Sequence, residues 1–430
     1  MERILVSQTT QKIGENVLLK GWVQALRKQG GLVFAVLRDV SGMVQLIISK
    51  EKQEVFEIFN ELSLESVIEV EGLVKEEKRA PQGVEIEVTR AAVLSKADPE
   101  LPIPIVEEKS GGETEMTKRF DWRWIDLRKP EKLQIFNVWT ALEKGAREFF
   151  ARENYTQVYT PNFMNTPSES GAEVFEVQYF ENKAYLAQSP QFYKQMAMAS
   201  GFEKVFMVGP VFRAEPSFTI RHMTEFTGWD FEISFIESHH DVMAAEEKML
   251  VSAFQKVKED LLPDVAIPTI PFPKITMKEA KEKLAKVGVT SEKEHDLSPE
   301  EERELSRIIK EETGHDFVFI VDWHKSVRAF YHMRHEDQEE LTKSFDLLYK
   351  GIEITTGAQR EHRIDILEKQ AKEKDMPIET LQNYFNFFRY GCPPHGGVGI
   401  GPGRIIMQLL GLPNVKEATF LPRDVKRLTP

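Results

Sequence analysis

Apolar and polar positions alternate in short runs through the first hundred residues, which is the pattern of half-buried β-strands. The strand-like runs are residues 17–23, 33–38, 43–48, 67–74 and 84–88, and Gly30-Gly31 marks a turn between the first two. Residues 54–64 have helical spacing instead. Five strands with one helix favour a small closed barrel, of which the OB-fold is the commonest soluble version. Another five-stranded barrel or sandwich stays open.

The pattern changes after residue 100. Residues 101–118 contain two prolines, a Gly-Gly pair and mixed charges, as linkers do. From residue 133 apolar positions recur at helical spacing, and a strand-like run at 156–159 then stops at Pro161. Strands and helices alternate from there to residue 430. We therefore predict a barrel domain at 1–100, a linker or hinge at 101–132, and an α+β domain built on a sheet at 133–430.

One helix start is predicted in detail. Ser298 has the side chain of an N-cap, Pro299 suits the first turn, and Glu301 completes a capping box. No chemistry is assigned to this segment.

Composition narrows the class of protein. The 430 residues are 41% hydrophobic and 29% charged, the balance of a soluble globular chain. No apolar run approaches the roughly 20 residues of a membrane helix, and the N-terminus lacks the apolar core of a signal peptide. The single cysteine, Cys392, excludes an internal disulfide and a cysteine-based zinc site. A cytoplasmic location is the expectation.

The net charge of −13 argues mildly against a nucleic-acid partner, because phosphate binding depends on Lys and Arg. An RNA-binding role therefore requires the basic residues to gather on one face of the protein.

Four segments carry side chains suited to nucleotide chemistry. The first runs from Val211 through Arg213 and Glu215 to Phe226, two strand-like stretches around a charged turn. An arginine forks onto phosphate oxygens, and an aromatic ring stacks on a purine. A hairpin with a surface ion-pair cluster is the alternative for this segment alone.

The other three segments are less specific by themselves. Gln188-Ser-Pro-Gln-Phe-Tyr-Lys194 places polar groups before an apolar helix. Asp346 and Glu353 are candidate Mg²⁺ ligands, although two carboxylates at this spacing are more often surface charges. A glycine-rich run from Gly391 to Arg404 lets backbone approach a ligand closely.

Together and in this order, the four segments resemble the catalytic core of class II aspartyl-tRNA synthetases, in the compact archaeal and eukaryotic form. The helix and strand that end at Pro161 resemble motif 1, residues 212–232 motif 2 and residues 399–407 motif 3. The resemblance covers nearly the whole chain, and the class I signatures HIGH and KMSKS are absent from the sequence. It implies an α+β protein, an N-terminal OB-fold followed by an antiparallel sheet flanked by helices.

The resemblance implies activation of L-aspartate by ATP and Mg²⁺, and transfer of the aspartyl group to tRNA. Arg213 and Arg404 are the implied catalytic residues. The implied ATP-binding residues are Arg213, Glu215, Arg221, His222, Phe226, Glu353 and Arg404. Asp346, Glu353 and Thr356 are the implied metal ligands. The implied aspartate-binding residues are Glu169, Ser189, Gln191, Lys194, Asp230 and Arg360, of which Lys194 and Arg360 supply the cations that favour aspartate over asparagine.

The barrel domain is implied to bind the tRNA anticodon through Arg27, Phe34, Gln45 and Glu85. Stacking and a few hydrogen bonds are how OB-folds bind single-stranded RNA. Gln24 and the loop at 80–83 look open, as in relatives that charge tRNA(Asn) as well as tRNA(Asp). Motif 1 further implies a homodimer.

The chain departs from the family pattern at several positions. Gly403 stands where Glu or Asp usually precedes the motif 3 arginine, which leaves the orientation of Arg404 open. Ser170 replaces a usual glycine, and Phe218 and Ile220 make the motif 2 loop unusually apolar. Asparaginyl-tRNA synthetase, an asparagine-forming ligase and a non-catalytic RNA-binding paralogue are the rival hypotheses.

Overall fold

The computed structural model describes residues 1–106, 112–167 and 173–430. The chain divides into two compact units, Met1–Asp126 and Leu127–Pro430, which are described separately. Within the described ranges, no helix combines the length and the apolar character needed to cross a membrane.

The first unit contains a closed five-stranded barrel, and the predicted OB-fold is confirmed. Its strands close in the order β1-β2-β3-β5-β4, because β1 pairs with both β2 and β4. The strands are β1 (Asn16–Gln29), β2 (Leu32–Asp39), β3 (Gly42–Ser49), β4 (Val67–Glu76) and β5 (Val84–Ser95). The helices are α1 (Gln53–Glu61), between β3 and β4, and α2 (Met116–Asp121) and α3 (Arg123–Asp126) at the end of the unit.

Alternation along the strands separates the barrel core from its surface. On β2 the side chains of Val33, Ala35 and Leu37 are buried, whereas Phe34 and Val36 between them are only partly buried. The predicted runs all lie inside strands. β1 extends six residues beyond its predicted end because Lys28 and Gln29 continue the hairpin with β2 by backbone pairing, where side-chain burial no longer marks the strand.

A buried ion pair lies at one end of the barrel. Arg38 donates two hydrogen bonds to the Glu65 carboxylate, at 3.0 and 2.8 Å, and a third to Gln24 Oε1 at 2.9 Å. Because a buried guanidinium must keep its partners, this cluster holds the Gln24 side chain in place.

The second unit is built on an eight-stranded sheet in the order β12-β13-β14-β15-β16-β11-β10-β6. The central pairs are antiparallel, as predicted, whereas the edge strands β12 and β6 pair in parallel. The sheet consists of β6 (Thr156–Gln157), β10 (Lys204–Phe212), β11 (Glu225–Ser234), β12 (Lys274–Thr276), β13 (Phe317–Val321), β14 (Ser344–Tyr349), β15 (Ile352–Arg360) and β16 (His395–Ile400). A small sheet contains β7 (Phe163–Met164), β8 (Glu176–Tyr179) and β9 (Asn182–Leu186).

The helices of this unit are α4 (Pro130–Arg152), α5 (Gln191–Ala199), α6 (His239–Asp260), α7 (Met277–Lys286), α8 (Pro299–Thr313), α9 (Ile364–Glu373), α10 (Gln382–Arg389) and α11 (Pro402–Leu410). Helices α4 and α6 pack together at Gly145, where a Cβ would lie 2.5 Å from the Ser252 carbonyl oxygen. Their apolar faces and the sheet enclose the main core, with Leu142 and Phe254 buried in it.

The predicted start of α8 is confirmed. Ser298 accepts a hydrogen bond from the Glu301 backbone, the Glu301 carboxylate accepts one from the Ser298 backbone, and Pro299 opens the helix.

One carboxyl group of α6 lies entirely inside the core. Glu246 has no accessible surface, and burial raises its pKa to about 8 against a smaller opposing effect of the Thr355 hydroxyl. A carboxyl group in this environment is neutral at pH 7.

Candidate active site

A cavity of about 710 Å³ opens on one face of the eight-stranded sheet. The predicted residues that line it are Ser189, Gln191, Lys194, Arg213, Glu215, Arg221, His222, Phe226, Asp230, Glu353, Thr356, Arg360 and Arg404. Asp346 is buried and is not among the residues that line the cavity. Glu169 and Ser170 lie outside the described residues.

At one end of the cavity the Lys194 ammonium donates two hydrogen bonds and lies beside a second carboxylate. Its ammonium lies 2.8 Å from Asp230 Oδ1, 2.9 Å from the Val398 carbonyl oxygen and 3.4 Å from Glu232 Oε2. The side chain is almost completely buried. Lys194 therefore organises the pocket wall.

Arg360 lies beside Glu232 and contacts it through only part of its guanidinium group. Its Nε donates to Glu232 at 3.1 Å and its Nη2 to the Gly397 carbonyl oxygen at 2.9 Å, whereas its Nη1 has no hydrogen-bond partner among the described residues. Glu232 reaches Arg360 only because residue 397 is glycine: a Cβ there would lie 2.0 Å from Glu232 Oε2. The free edge of Arg360 is the group available to a ligand.

The four charges of this pocket balance. Burial raises the pKa of Asp230 despite the nearby Lys194. For Glu232, burial is outweighed by Arg360 and Lys194, and the pKa is lowered. Two carboxylates thus already face the two cations, so the cation count used in the sequence argument does not by itself distinguish aspartate from asparagine.

Two polar side chains mark the start of α5 within the cavity. Ser189 Oγ accepts a hydrogen bond from the Gln191 backbone at 3.3 Å. The side-chain amide nitrogen of Gln191, Nε2, is buried with no hydrogen-bond partner among the described residues. Such a group leaves hydrogen-bonding capacity for a ligand.

The hairpin of β10 and β11 forms the other end of the cavity. The Arg213 backbone donates to Thr224 and continues the pairing beyond β10. Its guanidinium carbon lies 5.8 Å from the centre of the Phe226 ring. Arg213, Glu215 and Phe226 thus share one wall.

Arg404 is oriented by backbone carbonyl oxygens. Its Nη1 donates to the Glu353 carbonyl at 2.7 Å and its Nε to the Arg221 carbonyl at 3.3 Å. Gly403 packs instead near Val415 and Trp139, 3.3 and 3.8 Å from the place of a Cβ. Main-chain contacts therefore orient Arg404, although no acidic residue precedes it at position 403.

The motif 2 loop holds a neutral histidine. His222 Nδ1 lies 2.8 Å from Ser217 Oγ and 2.6 Å from Thr219 Oγ1. Burial, with the nearby Arg404, lowers the pKa of His222 to about 4. At neutral pH this residue can contact phosphate by hydrogen bonding but not by charge.

The predicted metal ligands come from β14 and β15. Asp346 pairs with Thr356 across these strands, and Thr356 Oγ1 donates to Glu353 at 3.3 Å. Burial raises the pKa of Asp346 to about 6, although Arg328 forms an ion pair with it at 2.8 Å. Its Oδ1 is buried with no hydrogen-bond partner among the described residues. For Glu353, the effect of burial is outweighed by Arg404 and Arg221, so its pKa is lowered.

A Mg²⁺ ion suits these two carboxylates, because it takes one or two protein oxygens and completes its shell with phosphate and water. No cluster of three or more His, Cys, Asp or Glu side chains capable of holding a metal occurs within the described ranges. Two protein carboxylates would leave the remaining positions of a Mg²⁺ ion to phosphate and water.

From the sequence no role was assigned to Glu232, Arg328 or Glu302, which are charged residues of the cavity region. Glu232 lies two positions after Asp230 on β11, so the two-residue period of a strand could have identified it. Arg328, beside Asp346, and Glu302, beside Arg221, come from segments distant in sequence. No local signal marks them.

On the barrel, Arg27, Phe34, Gln45 and Glu85 lie on one outward face. Arg27 pairs with Phe34 across β1 and β2, and Gln45 pairs with Glu85 across β3 and β5. The Gln45 amide donates to the Glu85 carboxylate at 3.0 Å.

The loop beside this face is ordered by Gln82. Its amide donates to the Met43 carbonyl oxygen at 3.3 Å, and its φ of 61° closes the turn Pro81–Gly83.

Comparisons with known proteins agree with this geometry. Residues 115–425 match the family described as tRNA synthetases class II (D, K and N), and residues 17–94 match the OB-fold nucleic acid binding domain. Aspartate--tRNA(Asp/Asn) ligase of Methanopyrus kandleri is 42% identical, over 98% of each chain. Aspartate--tRNA(Asp) ligase of Pyrococcus abyssi is 40% identical, over 99% of this chain and 98% of that one.

Solved structures share the whole fold. Asparaginyl-tRNA synthetase of Pyrococcus horikoshii, complexed with asparaginyl-adenylate, superimposes with a TM-score of 0.92 at 32% identity, over all of both chains. An aspartyl-tRNA synthetase of Entamoeba histolytica superimposes with a TM-score of 0.89 at 32% identity, over all of this chain and 93% of that one. The family match and the full-length curated relatives together decide the assignment: this chain belongs to the class II tRNA synthetases, as an aspartate–tRNA ligase.

Proposed function

We propose that the cavity activates L-aspartate with ATP and Mg²⁺ to form aspartyl-adenylate, and that the aspartyl group then passes to the terminal ribose of tRNA(Asp). The observation that carries the proposal is the free Nη1 edge of Arg360, buried at the end of a cavity whose other end presents Arg213, Phe226 and Arg404. A dicarboxylic amino acid and a nucleotide fit these two ends.

The nucleotide end supplies stacking and charge. Phe226 and the Arg404 guanidinium stack on the adenine, and Glu215 accepts from its amino group. Arg213 forks onto the α-phosphate, where charge develops when the aspartate carboxylate attacks. Asp346, Glu353 and Thr356 would hold Mg²⁺, which when bound would supply positive charge to the phosphates of ATP. Positioning and charge supply most of the rate.

The amino-acid end fixes the substrate. The side-chain carboxylate accepts from Arg360, which Glu232 holds in place, while Lys194 and Asp230 form the wall. Ser189 and Gln191 face the ammonium group. Glu169 remains part of the proposal on the resemblance alone.

Asparagine is the second candidate substrate, because the pocket charges balance without ligand and a superimposable relative is an asparaginyl-tRNA synthetase. Pyrophosphate exchange with each amino acid separates the two. We expect exchange with aspartate and little with asparagine. Absence of aspartate-dependent exchange would overturn the proposed function, and exchange with asparagine alone would select the second candidate.

We propose that the outward barrel face binds the anticodon, with Phe34 stacking on a base and Gln45 and Glu85 at base edges. The curated relatives include ligases named for tRNA(Asp) and for tRNA(Asp/Asn). Because Gln24 and the loop at 80–83 resemble those of relatives that charge both tRNAs, we propose that tRNA(Asn) is also charged. Aminoacylation of purified tRNA(Asp) and tRNA(Asn), measured side by side, tests this proposal. Failure with tRNA(Asn) would remove this part.

A homodimer is proposed from the motif 1 segment, in which α4 leads to β6 and Pro161. Sedimentation velocity at micromolar concentration should give about twice the chain mass of 49.6 kDa. A monomer at every concentration tested would contradict this proposal. The cytoplasmic location stays a prediction from the sequence.

A further inference from the structure

Helix α8 places a carboxylate against the nucleotide end of the cavity. Glu302, in its first turn, accepts a hydrogen bond at Oε2 from Arg221 Nη1, across 81 residues of sequence. The Arg221 side chain lines the cavity and is 15% exposed, whereas Glu302 is 6% exposed. Neither the resemblance nor the helix-capping pattern gives Glu302 a role.

The burial of Glu302 distinguishes it from an ordinary surface partner. Burial raises the pKa of Glu302 to about 7, Glu353 adds to this effect, and Arg221 and Arg404 oppose it. A buried carboxylate has lost its hydration, so it depends on a neighbouring cation for its stabilisation.

The contact occupies one nitrogen of the Arg221 guanidinium. Glu302 takes Nη1, and the buried Nε has no hydrogen-bond partner among the described residues. The Arg221 carbonyl oxygen in turn accepts from Arg404 Nε at 3.3 Å. Glu302 therefore contacts the Arg221 side chain, and the main chain of the same arginine accepts a hydrogen bond from Arg404.

We infer that Glu302 is a positioning residue for ATP: it holds Arg221 at the phosphate end of the cavity before the nucleotide arrives. The inference rests on the proposed function. An arginine side chain loses rotamer freedom when it is immobilised, and Glu302 imposes that order before ATP binds. Its removal lets Arg221 turn away from the neighbouring Arg404 and Arg213.

Calorimetric titration with ATP, together with exchange kinetics, tests the inference. E302A should weaken ATP binding and raise the KM for ATP by about tenfold, the loss of one charge-assisted hydrogen bond, with the KM for aspartate unchanged. E302Q retains an acceptor and should lose less. In an R221A background, E302A should have no further effect on ATP binding.

A matched control lies at the preceding position. Glu301 is equally buried on α8, but it bonds Lys281, Ser291 and the helix start. E301Q should lower the thermal midpoint and leave ATP binding unchanged. Circular dichroism shows whether each variant is folded. If E302A is not folded, E302Q is used for the ATP-binding measurement.

The inference is overturned if E302A and E302Q bind ATP as the wild type does, if they bind it more tightly, or if the losses from E302A and R221A add. If the proposed function is wrong, the wild type itself will show no aspartate-dependent exchange. This result is distinct from those that overturn the role of Glu302.

Discussion

Arg360→Leu is expected to abolish aspartate-dependent pyrophosphate exchange while the protein still binds ATP. The free Nη1 edge of Arg360 is lost with the side chain, so the substrate carboxylate enters a buried pocket without its partner. An uncompensated buried charge costs about 4 kcal/mol, which corresponds to a loss of about a thousandfold in kcat/KM for aspartate. Exchange kinetics and ATP calorimetry measure the two effects separately.

The same substitution leaves Glu232 without its arginine and will lower stability. The double variant R360L/E232Q removes that unpaired charge, so it should recover stability without recovering exchange. R363L is the matched control, because Arg363 pairs with Glu361 outside the cavity. Unchanged aspartate affinity in folded R360L would refute the pocket assignment.

Glu246→Gln is expected to stabilise the protein above pH 8. The ordinary pKa of 4.5 applies in the unfolded chain, whereas burial raises the pKa to about 8 in the folded protein. The stability that this group contributes is full below pH 4.5 and is lost as the pH rises through 8. The loss is on the order of 3–5 kcal/mol. Glutamine removes the titration but buries an amide, so the net gain above pH 8 is about 2 kcal/mol.

Thermal midpoints of wild type and E246Q at pH 5, 6.5 and 8.5 test this expectation. The difference between the two proteins should grow with pH in favour of the variant. Glu247 provides the control: its carboxylate accepts from the Phe272 backbone at 2.7 Å, so E247Q should lower the midpoint. A pH-independent difference between wild type and E246Q would show that Glu246 is already ionised.

The barrel was predictable from sequence because its signal is local. Alternation along β2 marks Val33, Ala35 and Leu37 as one face, and a turn at Gly30-Gly31 connects the hairpin. The capping box at Ser298 was equally local, since all its partners lie within four residues. The real end of β1 was missed because backbone pairing continues where burial stops.

The candidate site was predictable only as separate segments. The resemblance named thirteen of the residues that line the cavity, but it could not show that Asp230 and Glu232 already balance Lys194 and Arg360. Ion pairs such as Arg221–Glu302 join positions whose separation in sequence carries no periodicity. Sequence patterns describe faces of elements, whereas these pairs depend on how the elements are packed.

The main-chain contacts of Arg404 determine which neighbouring side chains are needed to hold it. A carbonyl oxygen is present whatever side chain a residue carries, so the Arg404 contacts with the carbonyls of Arg221 and Glu353 do not depend on those side chains, whereas its 3.5 Å ion pair with Glu353 Oε1 does. An acidic side chain at position 403 is therefore not required to hold this guanidinium. A sequence motif that demands an acid at this position would fail to match this chain, although the chain belongs to the family.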